Sequence, residues 1–318
     1  FFSPFVDCCN FMKLLTGFFV FCLVCPFFVL GSCDVILEYK DWISGNHIVF
    51  HDGVLLNEHG MLMTEKSITE RMTIVDIPDE LFFGLHESNE EFVDEELEVK
   101  FLEDNLLRCY LDDNYDSKWK PFCMFIFHVN YIDISKNIPA ILWENEYLEL
   151  LEGTYLQERV FGDIERIKKR IDSFSSKFPN LKNPSFEDVF IAERVVENDA
   201  SRIIHNKQYK LVLSPIFATL PSVKESETYL GYIQKRSKAG MWVDTPYKEN
   251  DIINKQYGNQ PNWRLLEYQG FFEPENSNLE NRLPLDVYIK GFDKLYDEKI
   301  KLLKEAKNLP ENEYPLSD

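Results

Sequence analysis

The sequence predicts an α+β chain in which short strands flank a helical stretch and a further helix lies near the end. Three observations predict it. Trp42 to Pro78 breaks into short apolar segments around turn residues, among them Asp52-Gly53 and His59-Gly60. Tyr155 to Phe174 repeats apolar residues at helical spacing: Leu156, Val160, Ile164, Ile167, Ile171 and Phe174. Tyr209 to Phe217 and Tyr229 to Ile233 return to apolar runs of strand length.

The order of elements follows from local signals. Asn46 to Phe50 is a strand candidate, and Ile74 to Pro78 ends another with alternating character. Pro179 and Pro184 stop the helix that begins at Tyr155. Ser185 with Asp188 three residues on forms a capping-box pattern, which starts a helix predicted from Phe186 to about Ile204. Pro215 interrupts the run at Tyr209 to Phe217, and Asp251-Ile252-Ile253 is a short strand candidate. Leu285 to about Asn308 reads as a C-terminal helix before a polar end.

Composition bounds the partners. The chain has 318 residues, 45% of them apolar, with 26 Phe and 15 Tyr, enough to bury a large core. The net charge is −20 and the pI about 4.8. Such a chain repels phosphate backbones, so nucleic acid is excluded as a partner. It attracts basic peptides, or else the charge keeps a Phe-rich protein soluble. Between Asp76 and Asp116 fifteen acidic residues face two basic ones, Lys100 and Arg108. The run reads as a solvated loop or exposed helix, without the Gly and alternating Asp/Asn ligands of a calcium loop.

Met12-Lys13 opens a charge-free run from Leu14 to Leu30, which ends at Gly31-Ser32-Cys33. One basic residue, an apolar stretch and small residues at its end match a secretory signal peptide cut after Ser32 or Cys33. The alternative is an uncleaved membrane anchor over 14–30. The secretory reading puts the protein in the endoplasmic reticulum lumen or outside the cell, and membrane contact follows only if the segment stays. Five of the seven cysteines fall at or before Cys33, leaving Cys109 and Cys123, which is no disulfide framework. These two form a bridge in an oxidising lumen, or stay as two buried thiols. The six His residues are scattered, and no Cys/His cluster with zinc spacing is present, so no metal is expected.

The most specific stretch is Gln256-Tyr257-Gly258-Asn259-Gln260-Pro261-Asn262, followed by Leu265-Leu266 and Gly270-Phe271. As plain sequence it is a turn-rich loop leading into an amphipathic helix. Its spacing resembles the closing motif of SET-domain protein methyltransferases. The resemblance is to the branch with a helical insert, which includes the Rubisco lysine methyltransferases and the actin-histidine methyltransferase. The layout elsewhere is similar: Trp42, a turn at Glu58-His59-Gly60-Met61, a short helix at Thr64 to Arg71, Ile77-Pro78, a Trp-led helix from Trp119, then Ile138-Pro139 and Trp143.

The resemblance implies a β-rich SET domain of small sheets split by a helical insert, with a short C-terminal helical extension. It implies boundaries at 34–136, 137–208 and 209–275, with residues 1–33 a signal peptide or anchor and 276–318 a helix and tail. It covers residues 41–275. It implies S-adenosylmethionine as cofactor, no metal, and a protein or peptide substrate of basic character. Tyr257 is implied as the catalytic residue beside the methyl acceptor. Gly60, Met61, Pro221, Ser222 and Asn262 are implied as cofactor-binding.

The chain departs from the family in its middle motif. Ser214 to Ser222 keeps the Pro at 215, but places Ala218, Pro221 and Ser222 where the family has Asp, Asn and His. Pro221 removes one N–H donor. Glu58 replaces a small residue in the first turn, and its bulk is expected to hinder approach of a cofactor. The family's Ser-Arg pair corresponds either to Ser201-Arg202 or, at the expected offset, to Asn198-Asp199. Two functions follow: a protein-lysine methyltransferase, or a catalytically inactive SET-like module that binds a basic peptide or partner.

Overall fold

The computed structural model describes residues 25–69, 72–85, 94–115, 118–205, 208–233, 238–273 and 276. The first helix, α1 (Cys25–Gly45), passes unbroken through Ser32 and Cys33, where cleavage is expected. Residues 14–24 of the apolar run lie outside the described residues, as does the helix expected over 285–308. Among the described residues no helix is long and apolar enough to cross a membrane.

Four short strands follow α1: β1 (Val49–Phe50), β2 (Val54–Leu56), β3 (Leu62–Thr64) and β4 (Met72–Pro78). β2 and β3 form a hairpin around the Glu58 to Met61 turn. Thr64 to Thr69 contains no helix, contrary to expectation. Ile68 instead bridges Tyr247, and Thr64 donates a backbone hydrogen bond of 3.0 Å to Asp251. These pairings fix the segment as extended chain, because they satisfy its backbone outside any helical turn.

Two helices follow, α2 (Glu95–Leu111) and α3 (Lys120–Lys136). A Cys109–Cys123 disulfide joins them, with the Cα atoms 6.0 Å apart. Part of the acidic run is therefore not solvated. Glu98 accepts from the backbone of Leu211 at 2.8 Å, and Asp104 pairs with Arg170 at 2.7 Å and Lys177 at 2.8 Å. Partnered in this way, both carboxylates are buried on the inner face of α2.

After a short helix, α4 (Asn145–Leu148), come α5 (Tyr155–Lys177) and α6 (Phe186–Asp199). The capping box forms as read: Asp188 donates to Ser185 Oγ at 3.0 Å, and Ser185 donates to Asp188 Oδ2 at 2.8 Å. α6 ends at Asp199 rather than Ile204. Residues Ala200–His205 become β5 and pair in antiparallel fashion with β6 (Gln208–Leu213). The β-branched Ile203-Ile204 pair suits this hairpin better than a last helical turn.

The closing segments are β7 (Ser222–Val223), β8 (Thr228–Ile233), β9 (Lys238–Val243), β10 (Lys255–Gln256) and α7 (Asn262–Gln269). Of these β7, β9 and β10 went unread in the sequence: β7 and β10 are two residues each, and Gly240 and the short run hide the alternation of β9. β9 is nevertheless an inner strand of the antiparallel sheet β1-β4-β9-β8. β10 and β7 form a small parallel pair. Asp251 to Ile253 gives one isolated bridge, Met63 to Ile252. The architecture is a mixed α+β fold of small sheets with helices packed between them.

Two predictions follow from this frame. The disulfide closes a loop with a sequence separation of 14. Loss of the bridge in a Cys109→Ala/Cys123→Ala variant should cost about 3 kcal/mol of unfolding free energy, read from urea denaturation. The second concerns Glu267 on α7, which is fully buried, with Arg159 3.5 Å away. Burial, and next the charge of Asp163, push its pKa from 4.5 up to about 7. The native state thus holds a proton that the unfolded chain releases above pH 4.5. Stability should fall as pH rises from about 4.5 to 7, by on the order of 3 kcal/mol from this group. Glu267→Gln should flatten that part of the pH–stability curve.

Candidate active site

The loop from Ser214 to Ser222 is shaped by its own backbone. Ala218 N–H donates to Ser214 O at 2.9 Å and Thr219 Oγ1 to Ile216 O at 2.9 Å, closing a 3₁₀ turn over Phe217–Thr219. Tyr39 on α1 donates its buried hydroxyl to Pro215 O at 3.0 Å. Pro221 lacks a donor, but its carbonyl accepts from Lys255 N at 2.9 Å. Tyr257 N then donates to Val223 O at 3.0 Å, so the loop directly sets the height of Tyr257. Gly258 has φ +82°, the left-handed conformation that a Tyr-Gly turn needs.

These elements enclose a cavity of about 580 Å³. Met61, Pro221, Ser222 and Tyr257 line it, together with His59, His128, Arg194, Asp199, Lys255 and Phe271. Gly60 lies behind that wall. Its φ is +73°, and a Cβ there would sit 2.7 Å from Phe125 Cζ, so only glycine lets the turn press on α3. Glu58 points outward with its side chain 85% exposed, which removes the expected obstruction. Asn262 does not line the cavity. It opens α7 and clamps Glu273, donating to its carbonyl at 2.7 Å and accepting from its N–H at 2.9 Å.

The two candidates for the Ser-Arg pair lie in different places. Arg202 lies on β5 and pairs with Glu95 at 2.5 Å and Glu98 at 3.2 Å, while Asn198 and Asp199 line the cavity. Asp199 forms a buried ion pair with Lys255, whose ammonium also donates to Ala218 O at 3.1 Å. Burial pushes the Lys255 pKa down and that of Asp199 up, against their mutual attraction. Arg194, 7% exposed, bonds Asp133 and, at 2.7 Å, Gln269. Its Nη1 is buried without a partner among the described residues, as is Nε2 of His128.

Sequence reasoning missed Lys255 and Arg194. Period-two alternation from Tyr257 back through Gln256 is a signal that points Lys255 inward. Nothing in the α6 pattern separates Arg194 from a surface arginine. Glu273 was missed as well. It receives the Tyr257 hydroxyl hydrogen and sits 2.8 Å from Lys224. Burial, and then this carboxylate, push the Tyr257 pKa well above the ordinary phenol range.

The buried pair gives a test. Asp199→Asn or Lys255→Met alone leaves a buried charge unmatched and should cost about 3–5 kcal/mol in urea denaturation. The Asp199→Leu/Lys255→Met double variant should recover most of that loss.

No family model and no curated protein matches the chain. Solved structures do. The crystal structure of the SET domain of LSMT bound to lysine and AdoHcy matches with a TM-score of 0.57 at 17% identity, over 86% of this chain and 64% of that one. Rubisco LSMT bound to sinefungin and monomethyllysine gives 0.56 at 19%, and Rubisco LSMT bound to AdoMet gives 0.55 at 20%, with the same coverage. The chain thus spans 64% of the length of these structures. At such identities the likeness concerns the fold, and the chain has the SET-domain fold.

Proposed function

We propose that the cavity binds S-adenosylmethionine and that the chain is a protein-lysine methyltransferase of the SET type. The observation that carries this is that two residues lining the cavity, Arg194 on α6 and His128 on α3, each have a buried nitrogen, Nη1 and Nε2, without a partner among the described residues. Buried polar nitrogens are almost always satisfied, so two orphans on residues of one cavity point to a polar ligand. The volume of about 580 Å³ is in the range of small-molecule sites. The residues fit the cofactor: Arg194 would hold its carboxylate, and Asp199 with the neighbouring carbonyls its ammonium, while Met61, Pro221 and Ser222 flank the rest. When bound, the cofactor would supply a methyl group already activated on a sulfonium.

The protein's share of the work is then positioning. Tyr257 orients the acceptor nitrogen, and its ring with that of Phe271 (5.7 Å between centroids) favours a cationic or amine group. The net charge of −20 draws a basic substrate protein toward the site. We propose separately that the protein belongs to the secretory pathway. The Cys109–Cys123 bridge supports an oxidising compartment, and the apolar run at 14–30 serves as a signal or as an anchor.

A specific observation favours the second function, a module that binds a basic partner without transfer. The buried Lys255–Asp199 pair lines the cavity beside Pro221, which the resemblance puts where the family has a cofactor-binding Asn. Calorimetric titration of the full chain with S-adenosylmethionine and its demethylated product separates the cases. Micromolar binding is expected, weakened at least tenfold in Arg194→Met. No heat at millimolar ligand sinks the cofactor reading. Binding without methyl transfer to any lysine-rich protein selects the non-catalytic module.

A further inference from the structure

Lys255 puts an ammonium of the chain's own into the wall of a cavity that the proposed function gives to an ammonium-bearing ligand. Its backbone is pinned to the 214–222 loop, because Lys255 N donates to Pro221 O at 2.9 Å and β10 pairs with β7 at Lys255 and Ser222. The residue is only 5% exposed. Its Nζ donates to Asp199 Oδ1, to Ala218 O at 3.1 Å and to Phe217 O at 3.4 Å, and the Phe217 ring centroid lies 5.9 Å away. A primary ammonium has three donors and no acceptor, so these three oxygens match it.

The surroundings of Nζ form a seat for a cation. Asp199 is the last residue of α6, so its carboxylate lies at the negative pole of that helix. The two carbonyls belong to the 3₁₀ turn over Phe217–Thr219, and the aromatic face adds to the attraction. Asp199, Ala218 and Lys255 all line the cavity, so the seat opens onto it. Arg194 lines the same cavity, with Nη2 bonded to Asp133 and Gln269 and Nη1 buried without a partner among the described residues. An α-amino-acid ligand carries a carboxylate and an ammonium side by side. The carboxylate meets the unpartnered Arg194 nitrogen, and the ammonium meets a like charge already in its place.

Resting on the cofactor side of the proposed function, we infer that Lys255 is a built-in occupant of the cavity's ammonium seat. It competes with a ligand's ammonium for Asp199, and so determines how tightly the cavity takes an α-amino-acid ligand. Such a ligand must displace Lys255 before its own ammonium is seated, whereas a ligand without an α-amino group has nothing to displace.

The first test needs no cofactor. Lys255→Ala removes the three carbons and the ammonium beyond Cβ, a fragment that propylammonium replaces. Propylammonium at about 100 mM should raise the urea midpoint of Lys255→Ala by about 0.5 M relative to sodium chloride, and should leave the unmodified chain and Asp199→Asn/Lys255→Ala within about 0.1 M. Where Lys255→Ala does not fold alone, folding in propylammonium and not in propanol supports the seat, and folding in neither, or in both alike, counts against it. The second test is calorimetry of the full chain with the demethylated product of the cofactor, and with the same molecule lacking its α-amino group. Lys255→Ala, or Lys255→Gln where the shorter side chain does not fold, should bind the product about tenfold more tightly than the unmodified chain does, and the analogue less than about twofold differently. An equal shift of the urea midpoint in all three proteins overturns the inference, and so does an unchanged product affinity or an equal gain for the analogue. If the unmodified chain binds neither molecule, the proposed function fails while the propylammonium series still decides the role of Lys255.

Discussion

Tyr39 holds the site together. Its ring lies flat on Phe125 with centroids 3.9 Å apart, and its hydroxyl reaches Pro215 O. The same Phe125 ring is what the Gly60 turn presses against. One buried phenol therefore ties α1, α3, the β2–β3 turn and the 214–222 loop into a single block. Burial pushes its pKa up, which keeps the hydroxyl a donor at any physiological pH. Loss of the hydroxyl would leave Pro215 O with the longer bond from Thr219 Oγ1 at 3.3 Å, a penalty borne by the loop that sets Tyr257.

Around that block the fold spends charge inside as well as outside. Lys255, Asp199 and Arg194 are all nearly buried at the cavity wall, and Glu267 is fully buried on α7. Such groups are costly unless paired, and pairs seldom add net stability over apolar packing. Their retention on one wall is what a site requires and a core does not. The cavity lining combines these charges with two buried nitrogens that have no partner among the described residues, which is the polarity the proposed ligand would require.

The acidic composition has two separate meanings. Glu98, Glu103 and Asp104 on α2 turn inward to Arg202, Arg170 and Lys177, and stitch α2 to β5 and α5. Burial, and next the nearby Glu193, raise the Glu103 pKa to about 7 despite Arg170, so part of this interface titrates near neutrality. The remaining exposed carboxylates supply the long-range field. A count of charges cannot tell these apart, because the distinction is which face of α2 each residue occupies.

The sequence alone determined the local items, those carried by near neighbours in the chain. The helix from Tyr155, the Ser185–Asp188 cap, the Tyr257-Gly258 turn and the strands at Ile74 and Tyr229 were legible because spacing and capping act within a few residues. The SET-type fold was legible in the Tyr257 to Phe271 spacing for the same reason. The tertiary structure decided what depends on distant partners. Ala200 to His205 is a strand because β6 lies beside it, and Thr64 to Thr69 is extended because Tyr247 and Asp251 bind it. Arg194, Lys255 and Glu273 matter through neighbours at sequence distances that no periodicity spans. The residues that shape the site's chemistry were thus the least visible, since burial of a charge is a property of the assembled walls and not of any one segment.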